Sequence, residues 1–188
     1  MKKPIAIQVP YELKEMLKYV KGKKLICEIG TARGGTLYEM MRVAHKEAEF
    51  VSIDLPGADY GGEFGQPREE EMQKWKKKGQ TLHILRMDSQ SALAISRVKE
   101  ILNGRKFDFI FIDGDHSFEG VSKDYEVYSK FGDLIGFHDI ADHADGYSYQ
   151  GGAIEVKKFW DGLEGEKTEI IEDPKQGWGG IGIINLIK

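Results

Sequence analysis

Cysteine occurs once in this chain of 188 residues, as Cys27 inside an apolar run, so no internal disulfide can form and a reducing compartment is expected. No apolar stretch approaches the length of a membrane span, and Met1-Lys2-Lys3-Pro4 is not followed by the hydrophobic core of a secretory signal. Neither charge dominates. Lys and Arg number 27 against 31 Asp and Glu, a net charge of -4 without long blocks of one sign, which disfavours an obligatory nucleic-acid partner. The glycine turn after the first strand lacks the G-x-G-x-x-G spacing of a dinucleotide site, which counts against hydride transfer. A G-x-x-x-x-G-K-[ST] loop is missing as well, which counts against phosphoryl transfer. These absences predict a soluble cytoplasmic protein.

What is present is an alternation of short apolar or β-branched runs with longer helical patterns, the sequence form of βαβ units and a parallel sheet. Strands are expected at 24–29, 50–54, 81–87, 107–112 and 134–138, and helices at 36–48, 67–78, 91–102 and 119–130. Pro67 suits the first turn of its helix. Before this core, Leu13, Met16, Leu17 and Val20 share one face of a helix at 11–20, so an N-terminal helical segment (1–23) is expected to pack on the main domain (24–188). That helix could also serve a homodimer.

The alternation ends near the C terminus. A helix at 153–161 is followed by strand-like runs at 168–172 and 180–187 with no helix between them, so these two strands should be antiparallel neighbours. Two long loops, 55–66 with Tyr60 and Phe64 and 140–152 with Tyr147 and Tyr149, suit closure over a ligand.

In an open parallel sheet ligands bind beyond the carboxyl ends of the strands. Acids stand at those places: Glu28, Asp54, Asp88, Asp113, Asp115 and Asp139, with His116 and His138 beside the last three. So many carboxylates around one crevice call for a cationic ligand, a metal, or both. The turn Glu28-Ile29-Gly30-Thr31-Ala32-Arg33-Gly34-Gly35 opens a helix and lets backbone N–H groups approach a carboxylate or phosphate. Asp54, a little over twenty residues past the glycine turn, stands where an acid accepts both hydroxyls of a ribose, a cap being the plainer alternative. Asp88 or Ser89 could simply cap the next helix, and Ser117 and Glu119 the one after. If the fourth and fifth strands are adjacent, Asp113, His138 and Asp139 can face one cation. An oxygen-rich set with one imidazole suits magnesium or manganese, and a hydrogen-bonded acidic site without metal is the alternative.

Taken in order, four pieces of the chain resemble a class I S-adenosylmethionine-dependent methyltransferase, in particular the macrocin O-methyltransferase-like and cephalosporin-biosynthesis methyltransferase-like branch. They are Glu28-Ile-Gly30-Thr-Ala-Arg-Gly34-Gly35, Ile112-Asp113-Gly-Asp115-His116-Ser117, Phe137-His138-Asp139 and Gly177-Trp178-Gly179-Gly180-Ile181-Gly182. The resemblance implies a doubly wound, Rossmann-like α/β sheet of seven strands in the order 3-2-1-4-5-7-6 with strand 7 antiparallel. It places Glu28, Gly30 and Gly34 around the methionine moiety, with Thr31, Ala32 and Gly35 in the same loop. Asp54 falls on the ribose, Asp88 and Ser89 beside the adenine, and Asp113 at the border of cofactor and metal. Asp113, His138 and Asp139 would hold a divalent cation such as Mg2+, His138 replacing the usual acid, and Asp115 or His116 would be the general base.

The activity so implied is methylation of a hydroxyl on a small molecule. Its alternatives are a metal-independent methyltransferase and an S-adenosylmethionine-binding module without catalysis. A hydroxylase is disfavoured, because no clear two-histidine, one-carboxylate set is visible in the sequence.

Overall fold

Along β1 (Leu25–Ile29), Leu25, Cys27 and Ile29 join one apolar cluster while Ile26 joins the other. The period of two that strands impose is thus used on both faces. The same division recurs in β4 (Phe109–Ile112), where Ile110 and Ile112 face one way and Phe109 and Phe111 the other. All residues of both strands are buried, as expected of central strands with helices on each side. The computed structural model describes residues 3–55, 69–143 and 153–187.

The remaining strands are β2 (Glu49–Asp54), β3 (Thr81–Arg86), β5 (Leu134–His138), β6 (Glu166–Ile170) and β7 (Ile181–Asn185). They form one sheet in the order β3-β2-β1-β4-β5-β7-β6, with β7 antiparallel to both of its neighbours. This is the architecture expected from the sequence. At one edge β6 carries Glu166, Lys167 and Glu169, charges that discourage pairing with another chain.

Helices α1 (Pro10–Val20), α2 (Gly35–Val43) and α3 (Glu69–Gln73) cover one face through Leu13, Met16, Leu37, Met40 and Met72. The other face is covered by α4 (Ala92–Leu102), α5 (Phe118–Tyr128) and α6 (Val156–Gly162). Ser91 and Ser117 cap α4 and α5, their hydroxyls accepting the N–H groups of Ala94 and Gly120. The cap of α4 is therefore Ser91, and not Asp88 or Ser89. None of the described helices is long and apolar enough to cross a membrane.

Two helices are shorter than their patterns suggest. The α2 pattern stops at Val43 because the following segment bonds elsewhere: Gly22 N–H donates to the Val43 carbonyl and His45 N–H to that of Lys23. Past α3 the chain turns through tighter bonds from Lys74 to Glu71 and from Trp75 to Met72, and the Arg42 guanidinium takes the Trp75 carbonyl. Pro67, most of the loop 55–66 and the end of the loop 140–152, including Tyr60, Phe64, Tyr147 and Tyr149, lie outside the described residues.

The buried acid of α1 ties the N-terminal segment to the far end of the chain. Glu12 Oε1 accepts from Gln176 Nε2 at 2.8 Å and from the Glu172 N–H at 3.1 Å, and its Oε2 accepts the Gly180 N–H at 2.9 Å.

Trp160 is wholly buried, its ring centroid 5.9 Å from that of Phe137 and its indole N–H donating to Glu169 at 2.7 Å. Replacing Trp160 with Ala is expected to lower the unfolding free energy by about 3–5 kcal/mol, read from urea denaturation followed by circular dichroism.

Candidate active site at the carboxyl edge of the sheet

Register decides which residues meet at this edge. Ile29 pairs with Ile53 on one side and with Ile112 on the other, and Ile112 pairs with Phe137. The residues that follow, Gly30, Asp54, Asp113 and His138, therefore emerge side by side. A cleft of about 360 Å3 lies between them, bordered also by Ser89, Asp115 and Trp178.

Gly30, at a φ of 83°, donates its N–H to the Ile53 carbonyl at 2.9 Å. A Cβ there would lie 1.9 Å from the Asp113 carbonyl oxygen, so only glycine lets the ends of β1 and β4 come this close. Thr31 shares a hydrogen bond of 2.7 Å with the buried Ser52 hydroxyl, and the chain enters α2 through Gly34 and Gly35. Asp54 Oδ2 accepts the Ala32 N–H at 2.7 Å and lies 3.9 Å from the Arg86 guanidinium. Burial raises the Asp54 pKa, and these two partners only partly offset it. Glu28 lies behind the turn, with Oε2 buried and unpartnered among the described residues. Burial, and then the charge of Asp113, push its pKa well up.

On the adenine side expected from the sequence, Asp88 Oδ1 accepts the Gln90 N–H at 2.8 Å. Ser89 donates to Asp124 Oδ1 at 2.7 Å. Asp124, which the sequence reading missed, lines the cleft from α5, and burial pushes its pKa up to about 6. Its signal was an acid on the buried stripe formed by Gly120, Val121 and Tyr128.

Past β4 and β5 two acids and two imidazoles interlock. His138 Nδ1 lies 2.9 Å from Asp113 Oδ1 but off the hydrogen-bonding direction, and its Nε2 is buried without a hydrogen-bond partner among the described residues. His116 bridges both acids, Nε2 lying 3.4 Å from Asp113 Oδ1 and Nδ1 2.7 Å from Asp139 Oδ2. Gln8 Nε2 donates to Asp113 Oδ2 at 2.7 Å, while its carbonyl accepts the Thr36 hydroxyl of α2. Gln8 gave no signal in the sequence, because it belongs to an N-terminal strap that crosses the helix start at Gly35. A Cβ on Gly35 would lie 2.3 Å from the Ile5 carbonyl oxygen.

Burial alone would lower the pKa of both imidazoles, but Asp113 and Asp139 outweigh it and raise His116 to about 10 and His138 to about 9. The same pairing overcomes burial to hold Asp113 below, and Asp139 well below, the usual carboxylate range.

The residues that converge differ from the expected set in three respects. Asp113, His116 and His138 each bring one ligand atom within 4.8 Å of the others, forming a two-histidine, one-carboxylate group that the sequence reading held to be missing. Asp139 stands outside that group. Its Oδ1 accepts the Gly179 N–H at 3.1 Å and lies 3.4 Å from His143 Nε2, while Oδ2 meets His116. Asp115 borders the cleft but is exposed, and its Oδ1 accepts the Ser117 N–H at 2.9 Å ahead of α5.

The strand order, the glycine turn after β1 and the acids beyond β2 and β4 define the class I methyltransferase fold. The family described as a methyltransferase domain matches residues 27–140, more than half of the chain, and the protein belongs to that family. Among solved structures it is similar to the O-methyltransferase TomG of Streptomyces achromogenes in complex with SAM, at a TM-score of 0.64 and 17% identity, over 98% of this chain and 82% of that one. It is also similar to cofactor-bound Rv0187 from MTB, at a TM-score of 0.65 and 17% identity, over 98% and 84%. An O-methyltransferase from Bacillus cereus in complex with SAH gives 0.61 and 17%, again over 98% and 84%. No curated protein sequence matches the chain.

The cluster has a signature in pH. Stability from the raised imidazoles is complete below their unfolded value of 6.5 and is lost as pH rises through about 9 to 10. Stability from the lowered acids is present above 3.8 and is lost as pH falls through their folded values. In chelator-treated protein, urea midpoints should therefore decline from pH 7 to pH 10, and His116→Gln should flatten that decline.

Proposed function

We propose that this protein transfers a methyl group from S-adenosylmethionine to a hydroxyl of a small-molecule acceptor, with help from a divalent cation. One observation carries the reading: a glycine turn with a ribose-type acid, and an acid–imidazole cluster, open into the same cleft. The structural neighbours named above as SAM or SAH complexes support the choice of donor.

In this reading the turn from Gly30 to Gly35 receives the amino-acid end of the donor, and Glu28 behind it complements the amine. Asp54, already held by the Ala32 N–H and near Arg86, accepts the ribose hydroxyls. Ser89 and Asp88 border the adenine. The donor supplies an electrophilic methyl group: a carbon–oxygen bond forms as the carbon–sulfur bond breaks, and the acceptor loses its hydroxyl proton. Charge is neutralised in that step, so positioning and deprotonation are the protein's main tasks.

The residues beyond β4 and β5 fit a cation, since three donor atoms converge and one buried imidazole nitrogen has no other partner among the described residues. Asp113, His116 and His138 would hold it, with Asp139 orienting His116. A bound divalent cation lowers the pKa of a hydroxyl that it touches. Asp115, exposed on the cleft border, is placed to take the proton. His116 suits that role poorly, because as a ligand its free nitrogen is committed to the cation and its other nitrogen faces Asp139.

Calorimetry with S-adenosylhomocysteine tests the reading at its base. Binding is expected, and Asp54→Ala should weaken it about tenfold or more, as loss of hydrogen bonds to a charged group costs about 1.5–3 kcal/mol. No heat from the folded protein would overturn it. With donor and a panel of vicinal diols and catechols, release of S-adenosylhomocysteine should stop on exhaustive chelation.

A further inference from the structure

We propose that Asp113, His116 and His138 form a site that selects a first-row transition ion such as Co(II), Fe(II) or Zn(II) over magnesium. The proposal deepens the metal-assisted reading above and rests on it. It reverses the expectation of magnesium, which assumed one imidazole among oxygens.

The donor set is the first argument. Magnesium takes oxygen ligands in near-octahedral arrangement and keeps several waters, whereas imidazole suits zinc, iron, copper and nickel. Here two of the three converging donors are imidazole nitrogens. Two histidines and one carboxylate with open positions form the arrangement typical of non-haem Fe(II).

The second argument is orientation. A metal-binding histidine usually gives its other ring nitrogen to a carboxylate, which fixes the tautomer and the ring plane. His116 lies between two carboxylates in that way, Nδ1 2.7 Å from Asp139 Oδ2 and Nε2 3.4 Å from Asp113 Oδ1, an ion-pair contact rather than an aligned hydrogen bond. Asp139 is in turn fixed by the Gly179 N–H. Asp113 is similarly constrained: Gln8 occupies Oδ2 and leaves Oδ1 toward both imidazoles. Gln8 thus holds the rotamer of one donor by a hydrogen bond and Asp139 sets its charge against the second, as a preformed centre requires.

The third argument is the state of His138. It is 6% exposed, neither of its nitrogens makes an aligned hydrogen bond among the described residues, and burying an unsatisfied polar group costs free energy. The ion pair of Nδ1 with Asp113 at 2.9 Å still leaves Nε2 without a hydrogen-bond partner among the described residues. A coordinated ion gives that imidazole a partner.

The test uses the full chain stripped with chelator and titrated calorimetrically with CoCl2 and with MgCl2. Visible absorption of bound Co(II) reports coordination independently of catalysis. Co(II) is expected to bind one to one and about 100-fold or more tighter than magnesium, in line with imidazole ligation. His116→Ala and His138→Ala should each weaken Co(II) by about tenfold or more and change its absorption bands. Far-UV circular dichroism and the urea midpoint of each variant show that it is folded. If His116→Ala does not fold, the near-isosteric His116→Gln replaces it.

Magnesium binding as tight as cobalt, Co(II) affinity unchanged in both variants, or no ion binding at all would each overturn the proposal. Retained Co(II) binding without any S-adenosylhomocysteine binding would overturn the methyltransferase reading and leave the metal site standing. Retained S-adenosylhomocysteine binding without metal would do the reverse.

Discussion

The approach of the β1 end to the β4 end is the constraint on which the site depends. A side chain on Gly30 would collide with the Asp113 carbonyl, so the absence of one atom lets two loops of different chemistry share a cleft. From that contact follow the course of the turn into α2 and the position of the Asp113 carboxylate. The parallel register does the rest, bringing Asp54 and His138 to the same edge through successive pairings of β2, β1, β4 and β5. The burial of these central strands on both faces makes the register hard to slip, because a shift of one residue would turn Ile26 and Cys27 to the wrong clusters.

Electrostatics then sets the character of the edge. Glu28 and Asp54 are buried acids whose charge is penalised, Asp54 lining the cleft and Glu28 lying behind the turn. Asp113 and Asp139 have the opposite bias, because two imidazoles hold them ionised. The cleft therefore joins an acid whose charge burial penalises, Asp54, to acids held ionised beside two imidazoles, Asp113 and Asp139. In the proposed reaction the first acid would meet the charged donor and the cluster would meet the acceptor.

Most of the fold could be read from sequence because it rests on local signals. The apolar runs gave five strands, the missing helix after 172 gave the antiparallel end, and Ser117 marked the start of α5. Helix ends were read less well. The α2 pattern runs on past Val43, but a backbone bond from the His45 N–H to the Lys23 carbonyl, outside the helix, ends it. The glycine turn and the acids after the strands were legible too, since each belongs to a motif of consecutive residues. What escaped were contributions from elements outside those motifs: Gln8 from the N-terminal strap, Asp124 from the middle of α5, and His143 beyond β5.

The sequence by itself determined which chemical groups follow each strand, because strand and turn patterns are set by residues close along the chain. Only the tertiary structure decided which of those groups touch. His116 displaced Asp139 from the converging trio because the turn after Asp113 brings its imidazole between two acids, a matter of ring orientation that spacing does not encode. Gln8 reaches Asp113 across 105 positions of chain, a contact that exists only once the strap is laid against α2 and the packing of α1 holds it there.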